Sequence, residues 1–246
     1  RHHWNSQHPL AHKMKIATVL LTLALVSPSF AGCKGADFDA VLQCYNTFFG
    51  AYGLSLPTPT TIPEYWDFHK VRMGWFDDQG VKVQQKVCDI GNALVSCVQP
   101  YWDCIDFDMY EQMGQTKMDA SNYKTDLYVT QYQCSPRGLQ LALKVFNCMD
   151  QTRLSGGQEK GEACEAAIPK DILQNGHCGG YNVFLDCMYQ IYLPSCGPDG
   201  AEFFCGTTRA GLLANDPSCD QKGELNQCPG VKATTAIKLE KLKMFN

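Results

Sequence analysis

The chain has 246 residues, a formal net charge of −4, and 14 cysteines among 45% hydrophobic residues. Mild acidity speaks against nucleic acid or an anionic membrane as the main partner, and so much cysteine points away from a reducing compartment. The length suits one large domain or two small ones with a real apolar core.

Residues 1–13 hold four of the six histidines and no structural pattern, and read as an artefactual upstream segment. Residues 14–31 read as a secretory signal peptide. Met14-Lys15 supplies a basic start, Ile16 to Val26 an apolar centre, and Ser29-Phe30-Ala31 the small residues expected before a cut. The apolar run is shorter than the about 20 residues that span a bilayer, and no later stretch comes close, so no stable membrane insertion is expected. Removing 1–31 takes away Arg1, Lys13 and Lys15 but no acid, which leaves the remainder more acidic.

All the cysteines follow that cut, and four of them share a local pattern. AVLQCY at Cys44, ALVSCV at Cys97, KVFNCM at Cys148 and VFLDCM at Cys187 each place bulky apolar residues around one cysteine. Each lies in a stretch of helical period. One face carries Phe38, Val41, Leu42, Tyr45 and Tyr52, and another Val83, Val87, Ile90, Leu94 and Cys97. The third carries Leu139, Ala142, Leu143, Phe146 and Met149, and the fourth Tyr181, Phe184, Leu185, Met188 and Tyr192. Cys33, Cys88, Cys134 and Cys178 open these units. Nine residues along a helix cover roughly 13 Å, whereas bridged Cα atoms lie within about 7 Å. The bridges are therefore expected between neighbouring helices or from a helix to a loop. The remaining cysteines, Cys104, Cys164, Cys196, Cys205, Cys219 and Cys228, bring the total to seven bridges, among on the order of 10⁵ possible pairings.

Other segments fit the same picture. Pro63 to Phe76 and Asp119 to Gln133 read as aromatic-rich helices, and Ser135-Pro136 as a helix start. Thr152 to Lys160 reads as a loop around Ser155-Gly156-Gly157. Cys196 to Cys228 reads as one short helix with loops tied down by cysteine. The expectation is an all-α, disulfide-stapled bundle of amphipathic helices with a loop-rich C-terminal part. It occupies residues 32–230 as a single domain, followed by a basic amphipathic tail at 231–246. In that tail Lys232, Lys238, Lys241 and Lys243 alternate with Ile237, Leu239, Leu242 and Phe245.

Chemistry-bearing motifs are scarce. The closest cysteines are Cys97 and Cys104, so there is no C-x-x-C for redox work or zinc. After the signal only His69 and His177 remain, and H-E-x-x-H, G-x-S-x-G and phosphate-binding glycine loops are missing. Asp103, Asp106, Asp108 and Glu111 form an acidic cluster that suits calcium in principle and a helix start more simply. Tyr65, Trp66, Phe68, Trp75 and Phe76 suit an aromatic platform or, more simply, a core-facing helix. Ser155-Gly156 beside Glu159 and Glu162 faintly resembles a glycosaminoglycan attachment site. No N-x-S/T acceptor follows the signal.

The segments VCDIGNALVSCVQPYWDC (Val87 to Cys104) and DASNYKTDLYVTQYQC (Asp119 to Cys134) carry a resemblance, which KVFNCM and the run Cys164, Cys178, Cys187, Cys196 and Cys205 extend. Over Cys44 to Cys219 the chain resembles the secreted, cysteine-rich proteins expanded in nematodes and catalogued as domain of unknown function nineteen, some relatives of which are described as chondroitin-proteoglycan-like. The resemblance implies an extracellular helical domain and supplies no catalytic residue. The sequence thus leads to the expectation of a secreted, non-enzymatic protein without a cofactor, binding an extracellular protein or glycan in matrix or body fluid. The alternative is a carrier of a small apolar ligand between helices, with Phe146, Met149, Phe184 and Met188 as lining.

Overall fold

The computed structural model describes Cys33 and residues 35–229; the upstream segment, the signal peptide and the basic tail fall outside the described residues. Among those residues the chain is helical throughout, with one isolated bridge, Thr58 to Thr61, in place of any strand. The helices are α1 (Ala36–Ala51), α2 (Tyr65–Gln79), α3 (Gln84–Val98), α4 (Phe107–Gln112), α5 (Lys117–Gln133), α6 (Pro136–Thr152), α7 (Gln158–Asn175), α8 (His177–Asn215) and α9 (Ser218–Gln221).

Local chemistry sets several boundaries. Asp106, Thr116 and Ser135 cap α4, α5 and α6, their side-chain oxygens accepting from the backbone N–H groups of Met109, Asp119 and Gly138. Pro136 then occupies the first turn of α6, as Ser135-Pro136 predicts. Thr152 to Lys160 is more ordered than a loop: Arg153–Gly157 forms a wide π-type turn that leads directly into α7. The C-terminal part is also more helical than its glycines and prolines suggest. Gly197, at φ 66°, breaks α8 between Pro194 and Pro198, and the helix restarts on Pro198, where a missing N–H does no harm. The two arms fold back on each other, because His177 at the start of α8 pairs with Asp216 just beyond its end. In this C-terminal part irregular chain is confined to the stretch after Asn215, around α9.

Three apolar clusters form the interior. The largest joins α1 to α5 through Val41, Tyr45, Phe48, Phe49, Phe68, Leu94, Tyr110, Tyr123 and Leu127. A second gathers Leu185, Leu213, Leu225 and four cysteines beside Tyr128, and a third sets Leu141, Ala142 and Val145 of α6 against Phe203 and Tyr132. The buried face of α6 thus lies one residue round from the predicted stripe, leaving Leu143 exposed, because Gly138 admits the α6 backbone against the Tyr132 carbonyl.

All fourteen cysteines are bridged. The pairs are Cys33–Cys104, Cys44–Cys97, Cys88–Cys134, Cys148–Cys196, Cys164–Cys187, Cys178–Cys219 and Cys205–Cys228. They join helix to helix or helix to loop, as the spacing argument requires. They also divide into two sets, since no bridge links residues 33–134 to residues 148–228. Non-covalent packing alone closes that seam. At its tightest point Gly206 of α8 faces Tyr132 of α5, where an added Cβ would sit 2.0 Å from Tyr132 Cζ. Asn215 reinforces it by donating to Thr125 Oγ1 and accepting from Ser121 Oγ, both at 2.9 Å.

Gly206→Ala is therefore expected to destabilise the protein by about 1–3 kcal/mol through overpacking, read as a lower denaturant midpoint. Adding Tyr132→Leu should recover part of the loss. An unchanged midpoint would mean that the seam accommodates a methyl group.

Candidate partner-binding groove

An open groove of about 510 Å³ runs along α1. One wall is Asp39, Leu42, Gln43 and Asn46 of α1; the other is Leu56, Pro57, Thr58 and Pro59 of the connection to α2. Residues 39, 43 and 46 follow helical spacing, which places a carboxylate and two amides on one face of α1. Leucine and proline side chains supply the apolar part of the lining. Such a mixed surface suits a partner rich in neutral hydrogen-bonding groups, such as a polypeptide backbone or a sugar.

The second wall is held by its ends. Leu54 N–H donates to Phe49 O, and Ile62, 1% exposed, donates to Met113 O at 3.1 Å. Gln115 Nε2 donates to Ile62 O at 2.8 Å and Tyr123 Oη to Pro63 O at 2.9 Å. Thr58 and Thr61 close the intervening turn, hydroxyl to hydroxyl, at 2.8 Å.

The aromatic cluster that Leu42 and Leu56 of the groove lining join has a polar centre. Arg72 of α2 donates two hydrogen bonds to Asp126 of α5, at 2.9 and 2.5 Å, and both side chains are largely shielded from water. Burial by itself lowers the Arg72 pKa, but the charge and hydrogen bonding of Asp126 outweigh it and hold the guanidinium above its ordinary value. Arg72 also lies over the Phe68 ring, 4.8 Å from its centroid. Tyr45 and Tyr110 share a hydroxyl–hydroxyl bond of 2.5 Å, and burial raises both phenols. His69 stacks on Tyr65, and its Nδ1 is buried without a hydrogen-bond partner. Burial, then the Arg72 cation, push the His69 imidazole down to about 4, against an opposing pull from Asp126. A second cavity here, of about 10 Å³ between Tyr45, Leu94, Tyr123 and Asp126, is at the lower limit for one water.

The residues singled out in the sequence take other places. Asp106 is the α4 cap, Asp103, Asp108 and Glu111 are exposed, and among the described residues no cluster of three His, Cys, Asp or Glu is arranged to hold a metal. Tyr65 and Phe68 are core residues, Trp75 and Phe76 are half-buried, and Trp66 alone of the five is largely exposed. Phe76 stacks on Phe146, while Met149 packs against the Leu141 cluster. Phe146, Met149, Phe184 and Met188 line neither of these two cavities. Ser155 spends its hydroxyl on the carbonyls of Gln151 and Thr152, at the end of α6. Sequence reasoning missed the groove, the Arg72–Asp126 pair and the position of His69.

No family model, no curated protein and no solved structure matches the chain. No helix among the described residues is long and apolar enough to cross a membrane.

Breaking the buried pair should be costly. Asp126→Asn leaves a buried guanidinium without its counter-charge and should destabilise by about 3–5 kcal/mol, whereas Arg72→Met/Asp126→Leu should recover most of that. Chemical denaturation of the three proteins checks the order. His69 makes a separate prediction about pH. Above pH 6.5 its imidazole is neutral in both states. Between 6.5 and about 4 the unfolded chain takes up a proton that the folded protein refuses, so stability falls as pH falls. The loss should reach about 2–3 kcal/mol by pH 4. His69→Phe should lose less stability than the parent over that interval; parallel curves would remove His69 as the cause.

Proposed function

We propose that this chain is a secreted, non-enzymatic interaction protein that binds an extracellular protein or glycan through the groove between α1 and the loop that follows it. The observation that carries this reading is the groove itself, with hydrogen-bonding side chains on a helix facing a proline-stiffened wall anchored at both ends. A preorganised surface of this kind gives up little conformational entropy when a partner docks. Seven disulfides are consistent with an oxidising, protease-exposed setting, and the signal-like segment and the resemblance to secreted nematode proteins point the same way. The acidic character and the lack of a basic side chain in the groove lining disfavour nucleic acid and sulfated glycan as the partner. The alternative of a carrier for an apolar ligand draws no support from the side chains expected to line its cavity.

Two measurements test the proposal. Protein collected from the medium should show the same mass under native and denaturing conditions and no free thiol; a companion mass lost on denaturation would favour the carrier. Gln43→Ala/Asn46→Ala should weaken binding to an array of neutral glycans and matrix proteins by about tenfold, at an unchanged melting temperature, since each lost hydrogen bond is worth about 0.5–1.5 kcal/mol. Full binding by the double variant would remove the groove from the argument.

A further inference from the structure

The loop between α1 and α2 reads Leu54-Ser-Leu-Pro-Thr-Pro-Thr-Thr-Ile-Pro63, and its composition goes beyond what a simple connection needs. Hydroxyl residues alternating with proline are the pattern of segments that accept O-linked sugars. Each proline fixes its own φ, removes a backbone donor and biases its predecessor toward extended conformations, so the segment does not join a helix or sheet. The structure sorts the three threonines of this stretch. Thr61 is half-buried and its methyl group packs against Gly114. Thr58 is exposed but donates its hydroxyl to Thr61. Thr60 stands at the tip of the turn, exposed, with no hydrogen bond from its hydroxyl, between Pro59 before it and Pro63 three residues on.

We infer that Thr60 is a site of O-glycosylation, with a nucleoside-diphosphate N-acetylhexosamine as the donor. The inference rests on the secretory reading above for its cellular setting, and on the loop alone for its chemistry. In the transfer, the bond from the sugar's anomeric carbon to the diphosphate oxygen breaks and a bond from that carbon to Thr60 Oγ1 forms. The hydroxyl proton leaves to a base, and the nucleoside diphosphate departs with the bonding electron pair. No oxidant or reductant is involved. Thr60 lies outside the groove lining whereas Thr58 lies within it. A sugar on Thr60 therefore stands on the rim of the groove without filling it, and shields the loop's exposed backbone from proteases.

The decisive experiment uses the full, disulfide-bonded chain, incubated with a purified polypeptide N-acetylgalactosaminyltransferase and its sugar nucleotide. Intact mass and electron-transfer fragmentation then locate any addition. Expected are one N-acetylhexosamine on Thr60, its loss in Thr60→Ala and its retention in Thr60→Ser, all three proteins sharing one denaturation midpoint. No addition, addition only elsewhere, or phosphate rather than sugar on the protein isolated from cells would overturn the inference. Chain recovered from the medium of secretory cells with a bare Thr60 would overturn it too. Chain that never reaches the medium would overturn the secretory reading instead, and the purified reaction would still decide whether Thr60 is an acceptor.

Discussion

Helix α5 is the constraint around which the rest is arranged. Among the described helices it alone contributes to all three apolar clusters, through Tyr123 and Leu127, Tyr128, and Tyr132. A helix surrounded in this way cannot present a single apolar stripe. Its polar side chains must find partners inside the protein, and Asp126 does so by drawing Arg72 in from α2. The tyrosines solve the same problem differently. Their rings fill the space around α5, while their hydroxyls reach a neighbouring polar atom: Tyr45 for Tyr110, Pro63 O for Tyr123, and Glu202 O for Tyr132. The interior is thus polar at its centre and aromatic around it.

The disulfides act on a different level. Within each set they restrict the unfolded chain, with stabilisation that rises only slowly with loop length. Between the sets they contribute nothing, so the junction of the two halves depends on how closely α5 and α8 approach. That explains the glycines at the crossings. Gly91 admits Thr130 where α3 meets α5, and Gly206 admits Tyr132 where α5 meets α8. Beside that junction Arg137 of α6 holds the same stretch of α8, donating at 2.9 and 2.6 Å to the buried Glu202. A chain with this many covalent staples therefore still relies on shape complementarity at its middle.

This arrangement also explains what was legible in the sequence. The units around Cys44, Cys97, Cys148 and Cys187 stood out because their helices each bury one face, and periodicity detects a face. Caps such as Ser135 were readable because their chemistry is local. The pairing pattern was not, because each bridge depends on which helices lie side by side; Cys44 joins Cys97, and Cys148 joins Cys196. The buried α6 face was misjudged by one residue, because the bulk of Leu139, Leu143 and Phe146 outweighs that of Ala142 and Val145, which pack deepest with Leu141. Arg72 and Asp126 carried no pattern that joins them, being 54 residues apart. Nor did Asp39, Gln43 and Asn46 carry a signal, since polar residues on the far side of an amphipathic helix are what solvent alone selects.

The groove and the core are nevertheless parts of one construction. Tyr123 of α5 anchors the loop through Pro63, and Gln115, just before α5, anchors it through Ile62. The loop that forms one wall of the groove is thereby fastened to α5 and the turn that precedes it. The other wall, α1, is fixed to the same core by Val41, Tyr45, Phe48 and Phe49, and to α3 by the Cys44–Cys97 bridge. Both walls are set by the core, so the chemistry of the gap is carried by the few side chains that line it. The core tolerates little change, but Gln43, Asn46 and Thr58 can change without disturbing it. A fold built in this way can hold its frame constant while the groove lining is altered to suit a different partner.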